Sequence, residues 1–154
     1  MKAVHLSALI LLGLSASPAM AEVRIEGPIE YGVFATAFKD PQPGERVLSR
    51  ADQAIERTDR VPARLGTKFG MRYRLQGKSE GDTPLTLVYF TPGVVTPDGE
   101  RHDRFEVVQK LVPNAPLDVM AFEFSEAHEV VPGEWHFLLF QGDRKLAEQR
   151  FEVR

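Results

Sequence analysis

Residues Thr67–Gln76 read TKFGMRYRLQ, and their alternation decides the fold class. Phe69, Met71, Tyr73 and Leu75 fall on one face, and Lys68, Gly70, Arg72 and Arg74 on the other. Side chains that switch faces at every residue describe a β-strand with one dry and one wet face. A helix turning by about 100° per residue would scatter the four apolar side chains around its circumference.

The same period recurs on both sides of this segment. Ile29–Phe38 places Ile29, Tyr31, Val33, Ala35 and Ala37 on one side, and Val119–Phe124 alternates Met120, Phe122 and Phe124. Leu85–Phe90 and Arg104–Val112 are rich in the β-branched and aromatic residues that suit a pleated, half-buried surface. Glu134–Gln141 (EWHFLLFQ) and Lys145–Val153 (KLAEQRFEV) flank Gly142-Asp143-Arg144, which predicts a β-hairpin turning at the glycine. Trp135, Phe137 and Leu139 share one face there, joined by Phe151 and Val153.

Turn signals separate the strands: Gly27-Pro28, Pro41-Gln42-Pro43-Gly44, Gly81-Asp82, Pro92-Gly93, Pro97-Asp98-Gly99, Pro113-Asn114 and Pro132-Gly133. Eleven prolines spread in this way leave no room for a long helix, and Ser49–Arg57 (SRADQAIER) is the one place for a short helical turn. The expected fold is all-β: a two-sheet antiparallel sandwich, immunoglobulin-like, ending in a C-terminal β-hairpin. The cysteine–tryptophan–cysteine signature of antibody domains is absent, so the likeness is one of architecture.

The start of the chain points to export. Met1-Lys2 gives a positive start, Leu6–Leu14 (LSALILLGL) is unbroken and apolar, and Pro18 precedes the small-x-small box Ala19-Met20-Ala21. That run is about half the ~20 residues that span a bilayer, so residues 1–21 are expected to be a Sec-type signal peptide cleaved after Ala21. Residues 22–154 then form a single β-sandwich domain, periplasmic or secreted. There is no cysteine, hence no disulfide, no thiol chemistry and no lipoprotein-type anchor. Loss of Lys2 leaves 18 Lys and Arg against 22 Asp and Glu, interspersed along the chain. No basic stripe suits nucleic acid, and no polybasic or amphipathic helix suits attachment to a membrane.

Three blocks carry a resemblance: Val61–Tyr73 (VPARLGTKFGMRY), Val131–Phe137 (VPGEWHF) and Arg144–Val153 (RKLAEQRFEV). They resemble an uncharacterised family of exported bacterial proteins, mainly Gram-negative, classed as a domain of unknown function (family 3859). The resemblance runs from about Glu22 to Val153 and implies a periplasmic β-sandwich. It assigns no catalytic or binding residue.

Few residues offer chemistry. His102-Asp103 follows the acidic turn Asp98-Gly99-Glu100, and His128 and Glu129 lie together in Glu126-Ala127-His128-Glu129. Imidazole and carboxylate suit zinc, copper or nickel, so His102, Asp103, His128 and Glu129 are candidate metal ligands. Their spacing matches no metal motif, and solvated loop residues are the alternative. Ser49, Ser79 and Ser125 sit in no nucleophile elbow, and no catalytic residue or cofactor is assigned.

His136, Leu138 and Phe140 alternate opposite Trp135, so this strand is apolar on both faces. Either a loop such as Pro92–Arg104 covers the second face, or Leu138 and Phe140 form an interaction patch. Trp135 is expected between the sheets, with stacking on a sugar as the alternative. Arg72 and Arg74, with Lys68, form a basic row that either meets an anionic partner or is solvated.

Three functions follow. The first is a non-catalytic module that binds an envelope protein through an open sheet edge or the Leu138–Phe140 face. The second is a metal- or small-ligand-binding sandwich using the loop histidines and acids. The third is a hydrolase with an unrecognised site. The mild charge and lack of catalytic motif favour the first, as a monomer, since no helix pairs or heptads suggest otherwise.

Overall fold

Alternating side chains close two sheets over one aromatic core. The computed structural model describes residues 22–35 and 53–154; the expected signal peptide, residues 36–38 of the strand expected at Ile29–Phe38, the turn expected at Pro41-Gln42-Pro43-Gly44 and residues 49–52 of Ser49–Arg57 lie outside them. The strands are β1 (Arg24–Phe34), β2 (Ile55–Glu56), β3 (Arg60–Val61), β4 (Lys68–Gln76), β5 (Leu85–Val95), β6 (Arg101–Gln109), β7 (Asp118–Glu123), β8 (Gly133–Gln141) and β9 (Arg144–Val153). One sheet runs β2-β1-β4-β7 and the other β3-β9-β8-β5-β6. Neighbours are antiparallel except β3 and β9, which pair in parallel through Arg60–Glu152 and Val61–Val153.

Phe69, Met71, Tyr73 and Leu75 of β4 are buried between the sheets as their alternation predicts. They meet Leu85, Leu87 and Tyr89 of β5, Trp135, Phe137 and Leu139 of β8, and Phe151 and Val153 of β9. Phe69 is the hub: its ring centroid lies 5.2 Å from those of Phe124, Phe137 and Phe151, and 5.7 Å from that of Trp135. Such tilted and edge-on aromatic pairs each add roughly 0.5–1.5 kcal/mol beyond the area they bury. Trp135 is fully buried and its Nε1 donates to the Val131 carbonyl at 2.9 Å, which leaves no face for a sugar.

The hairpin of β8 and β9 turns at Gly142-Asp143, with Gln141 opposite Arg144. Gly142 has φ +56°, the left-handed backbone that a two-residue hairpin loop with glycine first requires.

Four local expectations are corrected. Gly27-Pro28 and Pro92-Gly93 are not turns between strands. They are irregularities inside β1 and β5, where the register slips between Glu26 and Glu30 and between Phe90 and Val94. Proline and glycine fit there because a bulge relieves the ladder of one donor. The strand expected at Arg104–Val112 instead spans Arg101–Gln109, since the Asp98-Gly99 turn folds it back onto β5 sooner. Ile55–Glu56 is a strand and not part of a helical turn; the helical turn described is the 3-10 turn Ala127–Glu129.

Candidate functional site

The second face of the five-stranded sheet, pointing away from the core, carries the expected Leu138 and Phe140. Register places Phe140 opposite Thr86, Leu138 opposite Val88 and His136 opposite Phe90. Leu138, Phe140 and His136 are half-buried, Val88 is buried and Phe90 is exposed. The result is an apolar strip two strands wide. Pro92–Arg104 is no loop over this strip, because it forms the end of β5, a tight turn and the start of β6. Val88 and Phe90 were legible in principle, since LTLVYF at Leu85–Phe90 is apolar on both faces, as β8 is.

Charge flanks the strip on both sides. On β9, Lys145 binds Glu148 at 2.8 Å, Glu148 stands 3.5 Å from His136 Nε2, and Arg150 pairs with Glu134 of β8. The Lys145 ammonium holds the Glu148 carboxyl below the usual carboxylate range. On β6, Arg104 pairs with Glu106, and its guanidinium lies 6.0 Å from the centre of the Phe90 ring. An apolar centre with a polar, ion-paired rim is the anatomy of a protein-binding patch.

The basic row of β4 is held by its own chain. Lys68 is buried, its Nζ 4.9 Å from the Phe34 ring centre and donating to Gln53 Oε1 at 3.0 Å. Burial pushes its ammonium below the usual range. Arg72 donates to both carboxylate oxygens of Glu30 at 2.7 and 3.1 Å and to the Gln53 carbonyl at 2.7 Å. That bidentate bond holds the Glu30 carboxyl below its ordinary value. Arg74 is exposed, with Glu26 opposite it on β1.

Three of the four candidate ligands, His102, Asp103 and Glu129, are engaged in separate local contacts. The His102 ring stacks on Phe105 with centroids 5.5 Å apart, and its Nε2 lies 3.9 Å from the Glu100 carboxylate. Asp103 pairs with Arg101 at 2.9 Å. Glu129 Oε2 accepts from Ser125 N, Ser125 Oγ and Glu126 N at 2.8, 3.0 and 2.9 Å, closing the 3-10 turn that carries His128. Among the described residues no three His, Asp or Glu side chains gather as a metal site. No described helix is long and apolar enough to cross a membrane.

One concavity escaped the sequence. A cleft of about 600 Å³ opens between Ser79–Pro84 and Lys110–Asn114, with Pro84, Leu111 and Val112 on its apolar side and Lys110, Glu80 and Asp82 on its polar side. Beside it the Lys78–Asp118 ion pair is buried, both side chains being 4 % exposed. The neighbouring Tyr73 hydroxyl is buried with no hydrogen-bond partner among the described residues, and burial pushes its pKa far up. Its apolar lining breaks the period of two, which hides it from pattern reading.

Residues 22–153 match the model of a family described as Domain of unknown function (DUF3859). No curated protein matches the chain. Among solved structures it is similar to an immunoglobulin-like protein from Pseudomonas aeruginosa. The two are 65% identical, the match covers 88% of this chain and 99% of that one, and the TM-score is 0.77.

Proposed function

We propose that this chain, which belongs to the DUF3859 family, is exported to the periplasm and works there as a non-catalytic module that binds an envelope protein. The observation that carries the reading is the strip formed by Phe140, Leu138, Val88 and Phe90 across the centre of the five-stranded sheet. Its rim charges are already paired within the chain, so a partner can cover the apolar centre without stranding a charge. The envelope location rests on the leader-like residues 1–21. The test is cross-linking and affinity capture from the native host with the wild type, Phe140→Glu, Phe90→Glu and His128→Ala. One dominant envelope protein, retained by His128→Ala and lost with both strip variants, is the expected result. Capture that persists in both strip variants, or no partner at all, overturns it.

A small-ligand role has one observation in its favour, the cleft beside Lys110 and Val112. Chemical-shift changes at the Lys110 and Val112 amides on screening small periplasmic solutes would move that role ahead. Shifts confined to the strip would remove it.

A further inference from the structure

We propose that two copies of this chain join edge to edge through β6, in the one register that sets Arg104 of each copy against Glu106 of the other. β6 ends the five-stranded sheet and spans nine residues, most of them exposed, including Val107 at 49% and Val108 at 65%. The other described edges offer less. β2 and β3 are two residues long, and on β7 the Ala121 carbonyl accepts from the Tyr89 hydroxyl at 3.2 Å. A long edge, unpaired among the described residues and bearing exposed valines, is the feature that sheets ordinarily avoid leaving open.

The backbone fixes which groups are free. The Glu100 carbonyl is taken by Thr96 and the His102 carbonyl by Thr91 Oγ1 at 2.8 Å, both on the β5 side. Because hydrogen-bonding groups alternate along a strand, the N–H and C=O groups of Asp103, Phe105 and Val107 face away from β5. A two-fold axis through Phe105 makes these meet antiparallel, Phe105 with Phe105 and Asp103 with Val107. Arg104 and Glu106 then face each other at the closely spaced, non-hydrogen-bonded positions, where side chains approach nearest. Within one copy Arg104 already pairs with Glu106 along the strand. Two copies therefore build a square of alternating charge. Sliding the register one step either way sets Arg104 against Arg104 or Glu106 against Glu106. Charge thus selects a single register and makes a second copy the complementary occupant.

Sedimentation equilibrium of the chain purified from its host tests this, using the wild type, Arg104→Glu, Glu106→Arg, the double swap and an equimolar mixture of the single variants. Both positions are exposed, and a melting curve of each variant checks that it folds. The wild type is expected to dimerise. Each single variant turns two cross-pairs repulsive by symmetry and weakens the dimer by roughly tenfold or more. The double swap restores it, and the mixed single variants associate with each other. A wild type that stays monomeric, single variants that dimerise like the wild type, or a mixture that stays monomeric would each overturn the proposal. Phe140→Glu should leave the dimer intact, which separates this edge from the strip.

Discussion

Removing Lys78 should cost far more than removing Lys78 and Asp118 together. Lys78 Nζ donates to Asp118 Oδ2 at 2.9 Å and to the Ala115 carbonyl at 2.6 Å, and both charged side chains are almost sealed from water. Lys78→Met leaves the Asp118 carboxylate buried without its counter-charge, a loss of about 3–5 kcal/mol. In the double variant Lys78→Met/Asp118→Leu neither charge is desolvated. Only the Ala115 carbonyl is left wanting, at about 1 kcal/mol, and apolar packing offsets part of that. Urea unfolding followed by tryptophan fluorescence reads the difference through Trp135, the single tryptophan. With a slope of about 2 kcal/mol per molar, the single variant's midpoint should fall by roughly 2 M and the double variant's by well under 1 M. A double variant that loses as much as the two single variants combined would refute the reasoning. The pair would then be wet in solution, and the loops bearing Lys78 and Ala115 would not be held together by it.

Two further outcomes follow from geometry already described. Arg72 depresses the Glu30 pKa in the folded state, so the bond stabilises above the unfolded carboxyl pKa and is lost as pH falls through the lower folded value. Glu30→Gln should therefore destabilise by no more than about 1 kcal/mol at neutral pH, Glu30 being half-exposed, and match the wild type in acid; melting curves across pH check both. At Gly70 an added Cβ would lie 2.1 Å from the Met120 carbonyl oxygen, so Gly70→Ala must push β7 away from β4. A stability loss of about 2–3 kcal/mol, with amide exchange rising first along Asp118–Glu123, is expected by hydrogen exchange.

Strands whose two faces differ were legible in the sequence, because contrast between faces is what a period of two records. Phe69–Leu75 of β4 and Trp135–Phe151 across the final hairpin landed where alternation put them. Proline and glycine misled at Gly27-Pro28 and Pro92-Gly93, since these residues mark a turn and a bulge alike, and only pairing with β4, β6 or β8 decides between them. Lys68 reads as solvated by type, yet it is buried against Phe34 and Gln53, partners brought by other parts of the chain. The strip was half legible: Leu138 and Phe140 stood out, whereas Val88 and Phe90 needed the β5–β8 register. His102 and His128 are near acids in sequence, but Glu129 is spent on its own turn and Asp103 on Arg101.

The first and last parts of the domain are fastened to each other. Val23 N donates to Gln141 Oε1 at 3.1 Å, the Val23 carbonyl accepts from Arg144 at 2.5 Å, and β9 lies inside its sheet between β3 and β8. Until Arg144–Val153 arrives, β8 has an unfilled edge, Phe137 lacks the Phe151 ring beside it, and the Val23 carbonyl lacks its Arg144 donor. Folding waits on contacts between the most distant stretches, which is the slow, all-together regime of sandwich topologies. A domain stopped short of its final strand has no native half to fall back on.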